Sequence, residues 1–427
     1  MLRPQTSACM RKLIVTVLMI LLIAGPLDAQ TQPQTLSLAQ AVARVNSRGF
    51  EIRMARADAQ IAAADRRSAQ SLLRPQIGIS ANVLDANEPQ LGMPIARQTY
   101  AAVSLTLPLF TPANGASVRA AREAALAADS GIASTTSDAV FATVGAYRRV
   151  QLADAVLAAR RVAVSDQERH LHVTEQRVAV GKAARYLTLR ERAALATATQ
   201  AQEDASSERD QAANELEAYL DLPQQAIAVE ALAPVSFTQS RDSLFMRALR
   251  ARPSLIAAEQ RVSAAQSGVV AARDQYLPTA SLSAQSYNGS SSPQLGQRGG
   301  QVQLSASLPL IDGGSRSAAT SRAKAQYDRV AASRDQIRAG VLRDVANTWR
   351  EYEAATRNLA TASATTADAQ EQLRLAELRE NAGKANSLEV QDALAIAAAA
   401  RETTARSLAR YDLAIAAILH ATGDDSY

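Results

Sequence analysis

The chain holds one cysteine, Cys9, so it can form no internal disulfide. Aromatic residues make up only 4% and tryptophan occurs once, at Trp349, which argues against a large compact core. Apolar runs are short. The stretch from Leu13 to Ile23 is too brief to cross a bilayer as a helix, and no later stretch is long and apolar enough, so any membrane span must be made of strands. Proline is missing between Pro112 and Pro223 and again after Pro309. Because proline removes a helical donor and clashes with the preceding turn, these gaps are where long helices can run. There is no Gly-rich phosphate loop, no nucleophile–base constellation and no pair of acids in a recognisable pocket, so no catalytic residue and no cofactor are expected. His170 and His172 stand two apart and point in different directions on a helix, and His420 is alone, so no metal site is expected.

What is present begins with Arg11 and Lys12, the apolar run, and small residues reaching Ala29, the layout of a cleavable secretory signal over residues 1–29. Met10 directly before the basic pair is an alternative start to Met1. Cys9 would leave with the signal, and no cysteine follows the cleavage point, where the chain reads Asp28, Ala29, Gln30, so no acyl anchor is expected. Loss of the signal lowers the formal charge from +5 to +3, too little to argue for nucleic acid.

The rest of the chain repeats itself at a spacing of about 200 residues. Leu107-Pro108-Leu109-Phe110 matches Leu308-Pro309-Leu310-Ile311, and Val180-Gly181-Lys182-Ala183 matches Ala382-Gly383-Lys384-Ala385. The units are residues 30–222 and 242–427, joined by a linker at 223–241. Each opens with a helix, about Leu36 to Leu73 and about Asp242 to Tyr276. Each then carries a long helix, about Ala113 to Ala179 and about Ser315 to Asn381, on the order of 100 Å at 1.5 Å per residue. A Gly-Lys-Ala turn ends the long helix, glycine suiting the left-handed position there, and a shorter helix of roughly 35 residues returns. Segments such as Ala194 to Asn214 scatter alanine among Gln, Thr, Glu and Arg instead of carrying one broad apolar stripe. That suits a wall one helix thick with water on both sides. A soluble Ala-rich coiled coil explains the helices equally well.

The strands decide between the two. Residues 76–86, 98–109, 279–288 and 301–311 alternate apolar and polar with period two, for example Ile77, Ile79, Ala81 and Val83 against Gln76, Gly78, Ser80 and Asn82. Each run is about ten residues, the length of a tilted membrane-crossing strand. The loops Asp85 to Arg97 and Ser286 to Gly300 are polar and turn-rich, and Pro75, Pro108, Pro278 and Pro309 are expected at the helix–strand junctions. An open sheet edge in a bilayer leaves backbone groups unpaired, so the sheet must close. Four strands are too few, since the smallest single-chain barrels have about eight and hold no aqueous lumen. Three copies supply twelve, which points to a homotrimer.

The motifs Ser37-Leu38-Ala39-Gln40-Ala41-Val42, Leu-Pro-Leu running into Ile311-Asp312-Gly313-Gly314-Ser315-Arg316, and glycine followed by Leu388-Glu389-Val390-Gln391-Asp392-Ala393 resemble the TolC family of outer-membrane efflux proteins over nearly the whole mature chain. The resemblance implies a mainly α fold with a small β part, long helical hairpins plus four transmembrane strands per chain, assembled as a trimeric α/β-barrel. It implies a passive exit duct in the outer membrane of a Gram-negative cell, in contact with outer-membrane lipid and with a large periplasmic part. The expected partners are a periplasmic adaptor and an inner-membrane transporter, with no catalysis in this chain. It also implies a periplasmic gate at Glu389 and Asp392, whose spacing of three places both carboxylates on one helix face and, by threefold symmetry, six in a ring. The equivalent first-half positions, Leu187 and Arg190, carry no acid. Gly181, Lys182, Gly383 and Lys384 at the turns are candidates for adaptor contact, although the lysines also suit a helix C-terminus by charge alone. A periplasmic coiled-coil adaptor without a membrane barrel is the alternative function. Its strands would form compact domains.

Overall fold

The computed structural model describes residues 35–85, 97–222, 227–291 and 296–424. The expected signal over 1–29 and the middle of the first inter-strand loop lie outside the described residues. In chain order the elements are β1 (Thr35–Leu36), α1 (Leu38–Arg48), α2 (Phe50–Ser71), β2 (Gln76–Asp85), β3 (Arg97–Phe110), α3 (Pro112–Ala179), α4 (Arg185–Leu220), β4 (Ala228–Val229), α5 (Arg241–Ala251), α6 (Pro253–Asp274), β5 (Thr279–Ser291), β6 (Gly296–Ser307), α7 (Ser315–Asn381) and α8 (Ser387–Thr422).

Helices α3 and α7 span 68 and 67 residues, each about 100 Å long. Pro112 stands at the first helical position of α3, where a missing donor costs nothing. Ser37 and Gln40 form a reciprocal capping box at the start of α1: Gln40 N–H donates to Ser37 Oγ at 3.2 Å and Ser37 N–H to Gln40 Oε1 at 3.0 Å.

The single opening helix expected in each half is two helices. Gly49 takes ψ 129° between α1 and α2, and a Cβ there would lie 2.6 Å from the Val45 carbonyl oxygen, so only glycine fits the bend. In the second half Arg252 takes ψ 117°, because Pro253 excludes the helical region for the residue before it.

The four long strands form one antiparallel sheet in the order β2-β3-β5-β6, so the two strand pairs are joined and not isolated. The register lines up like with like. One row across the sheet reads Ile77, Leu105, Ala284, Val302, and its neighbour reads Gln76, Thr106, Ser283, Gln303. In the rows next to the helices this face is therefore apolar and open, Ile79 being 81% exposed and Leu304 68%, while further along β5 and β6 it carries Ser286, Asn288 and Arg298. Among the described residues β2 pairs only with β3 and β6 only with β5, which leaves two free edges.

Three expectations for this region change. Strands β5 and β6 run to Ser291 and from Gly296, so most of the stretch 286–300 expected as a loop is sheet. Strand β6 ends at Ser307, before the Leu308 to Ile311 segment expected to continue it. Pro108 lies inside β3, not at a junction. The register breaks between Pro108 and Phe110, and such a bulge tolerates a residue without an N–H.

The buried core is a series of small clusters rich in alanine, not one mass. Ala369, Leu373, Val390, Leu394 and Ala397 pack α7 on α8, and Val156, Leu157 and Ala205 pack α3 on α4. Alanine at these contacts brings helix axes close. Trp349 serves packing too, beside a cluster of Leu244, Val341, Val345 and Ile418, and its indole N–H donates to Glu353 at 2.8 Å.

Candidate functional site at the hairpin tips

Each long hairpin turns on a Schellman motif. Gly181 has φ +72°, its N–H donates to Val178 O at 3.0 Å, and Lys182 N–H donates to Arg177 O at 2.8 Å. Gly383 repeats this at φ +70°, with Gly383 N–H to Glu380 O at 3.0 Å and Lys384 N–H to Arg379 O at 2.8 Å. Glycine is favoured because the left-handed region costs other residues roughly 1–2 kcal/mol. All four residues are exposed, and neither lysine has an ion-pair partner among the described residues. A Cβ built on either glycine meets nothing within 4 Å in the chain itself.

Helix α8 begins immediately beyond its turn, where the Asn386 side chain accepts from Glu389 N–H at 3.0 Å. Glu389 and Asp392 lie on the exposed face of α8, opposite the apolar contacts of Val390, Ala393 and Leu394. They differ in their surroundings. Arg379 of α7 stands 3.4 Å from Glu389, whereas Asp392 has no ion-pair partner among the described residues. On the first hairpin Leu187 and Arg190 occupy the matching turns, but the next residue is an acid turned inward. Glu191 is fully buried.

Glu191 organises a group of buried polar side chains that sequence reasoning missed. Its carboxylate accepts from Gln167 of α3 at 3.1 Å, from Ser387 of α8 at 2.8 Å, and from Gln391 of α8. His170 of α3 lies against the same serine, Nε2 to Oγ 3.1 Å, with Glu191 Oε1 at 3.7 Å and Glu380 Oε2 of α7 at 3.9 Å on its other side. Arg177 then pairs with Glu380 at 2.6 Å. The signal was present in the spacing: Gln167, His170 and Thr174 fall at i, i+3 and i+7, the positions of a core stripe, yet are polar. Beside the group a cleft of about 540 Å³ opens between α3 and α7, and both His170 and His172 border it.

The group is the last rung of a polar seam. Helices α3 and α8 run antiparallel, and they face each other through Asp138–His420 (3.3 Å), Arg148–Asp412 (3.3 Å), Arg160–Glu402 (2.5 Å) and Asp166–Arg401 (2.9 Å). Asp412 is the most enclosed of these acids. Burial pushes its carboxyl above the usual range, outweighing the opposite pull of the Arg148 guanidinium and of the Val235 N–H. At the sheet end, Asp312 caps α7 by accepting from Arg316 N–H (2.9 Å) and Arg316 Nε (2.7 Å), and these bonds hold its carboxyl below the usual range. The Arg316 guanidinium also lies 4.8 Å from the centre of the Tyr276 ring.

Long helices of about 100 Å crowned by an open sheet with an exposed apolar stretch on one face suit insertion into a membrane, and comparison with known proteins agrees. The sequence profile of the family described as Outer membrane efflux protein matches residues 37–221 and 244–424. The chain belongs to the outer membrane efflux protein family. Its sequence is 29% identical to outer membrane protein OprJ of Pseudomonas aeruginosa over 290 residues, a match that spans 64% of this chain and 57% of OprJ. The fold is similar to that of the outer membrane protein VceC of Vibrio cholerae, at TM-score 0.79 and 19% identity over 91% of this chain and 96% of VceC. It is equally similar to the open state of the outer membrane channel MtrE of Neisseria gonorrhoeae, at TM-score 0.80 and 19% identity over 91% of this chain and 89% of MtrE. The family is one of outer membrane efflux proteins, and the fold is shared with structures of outer membrane channels.

Proposed function

We propose that three copies of this outer membrane efflux protein close their sheets into one twelve-stranded barrel and their helices into one tunnel, forming a passive exit duct. The observation that carries this is the sheet with an exposed apolar stretch on one face and, among the described residues, two free edges. In a bilayer each unpaired edge group costs several kcal/mol, and pairing β6 of one copy with β2 of the next removes both edges at once. A coiled-coil adaptor in water would gain nothing from such a face.

The hairpin tips would then point into the periplasm, where Gly181, Lys182, Gly383 and Lys384 offer exposed turns to an adaptor that connects the duct to an inner-membrane transporter. The transporter supplies the energy. Glu389 and Asp392 would face one another around the threefold axis and favour cations. Since Arg379 offsets Glu389 within the same hairpin, Asp392 carries most of the ring's uncompensated charge.

Crosslinking of the membrane-embedded protein tests the assembly: the expected products end at trimers that migrate faster in SDS before heating than after. Products ending at dimers, or recovery in the soluble periplasm, would overturn it.

A further inference from the structure

Within each hairpin, buried apolar clusters accompany the polar pairs, Ala369, Leu373, Val390 and Leu394 in one and Val156, Leu157 and Ala205 in the other. Among the described residues the apolar cluster that bridges α3 and α8 lies far from the tips, around Val140, Val144 and Ala416. Towards the tips, the contacts between the two hairpins include ion pairs and hydrogen bonds from Arg160, Asp166, His170 and Arg177 of α3 to α7 and α8.

The hydrogen bonds fix what the His170 proton does. Ser387 has a single O–H, and Glu191 Oε1 at 2.8 Å takes it, so Ser387 Oγ is an acceptor towards His170 and Nε2 carries a proton. Nδ1 is left facing Glu380 Oε2 at 3.9 Å. In the neutral ring two lone pairs meet there. In the imidazolium an N–H points at the carboxylate, and the chain Glu380, His170, Ser387, Glu191 joins α7, α3, α8 and α4. Other charges around the ring are already matched. Arg177 pairs with Glu380, while Asp166, one turn along α3, is held by Arg401 of α8 and by Arg169. Glu168 and His172 of α3 and Glu377 of α7 border the open cleft, where water screens them. One proton on His170 therefore takes the enclosed group of Glu191, Glu380, Arg177 and His170 from a formal charge of minus one to zero.

We propose that His170 is a proton-operated latch: its imidazolium adds a tie from α3 to Glu380 of α7, and loss of the proton removes that tie and loosens the α7–α8 hairpin against the α3–α4 hairpin at the tip. Its effect on conduction rests on the reading of the tips as the closable end of a duct. The latch itself does not.

The test uses the full chain with Cys9 replaced by serine. Spin labels are placed at Glu168→Cys and Glu377→Cys, on opposite banks of the cleft, and their separation is measured in trimers at about pH 5.5 and about pH 8. The expected result is a longer, broader separation at the higher pH, lost in His170→Gln and reduced in Glu380→Gln. Trimer migration in SDS checks that each variant assembles, with His170→Asn as a second substitution if Gln does not. A separation that does not change with pH, or a His170→Gln protein that responds like its parent, overturns the latch. Planar-bilayer conductance is recorded over the same range. Labels that move while conductance stays constant support the latch and refute the gate reading of the tip.

Discussion

Adding one methyl group at a tip glycine separates a docking surface from a bare turn. A Cβ on Gly383 finds open space inside the chain, so a substitution there meets no intramolecular clash. The only internal cost is the left-handed backbone at φ +70°. That is about 1–2 kcal/mol for alanine and less for asparagine, which tolerates this region. A cost of that size changes the population of the turn by a factor of roughly 5–30. It falls on the last residues of a hairpin whose two arms stay zipped by Val390, Leu394 and Leu373, so trimers should still form. Strain therefore predicts a graded order, with Gly383→Asn near normal and Gly383→Ala weaker. A partner pressed onto the tip predicts that both variants fail, because both carry the Cβ. The assay is efflux complementation in a strain lacking its own duct, with trimers quantified in the outer membrane. Equal failure of Gly181→Asn and Gly383→Asn with normal trimer levels is the expected result. Full efflux by both asparagine variants would refute tip docking.

Arg379→Gln should strengthen the cation preference of single channels by freeing Glu389, and Asp392→Asn should weaken it more than Glu389→Gln does; an equal effect of the two acids would count against the assigned asymmetry. Asp412 gives a pH prediction whose sign follows from its raised pKa. The folded protein holds that proton more tightly than the unfolded chain, so the group's contribution to stability is largest below about pH 3.9 and declines as pH rises to the raised value. Asp412→Asn should therefore flatten the pH dependence of the trimer melting temperature on the acid side, and an unaltered slope would contradict the assignment. Gly49→Ala should destabilise by about 1–3 kcal/mol, since its Cβ meets a backbone oxygen that cannot swing away, and an unchanged melting temperature would show that the bend relaxes freely.

Much of this protein is written in one-dimensional signals. The proline gaps delimit α3 and α7 because an interior proline would cost a helix about 3 kcal/mol. Period-two alternation marks the strands because neighbouring side chains point to opposite faces. Both rules act over a few residues, so they survive without knowledge of any partner. The two breaks at Gly49 and Arg252 were also within reach, since one lies at a glycine and the other before a proline.

The seam is a different matter. Glu191, His170, Glu380 and Ser387 come from four helices and are separated by up to about two hundred residues in the sequence, so no local spacing brings them together. An acid in an Ala-rich helix looks alike whether it faces water or a serine on another helix. Sequence alone determined where the long helices run and that the strands alternate, because helix and strand propensities are local. Only the tertiary structure decided that the four strands share one register, that Glu191 turns inward while Glu389 and Asp392 face out, and that the two hairpins meet through charge. Those choices depend on which surfaces the long helices press together, and that follows from packing across the whole chain.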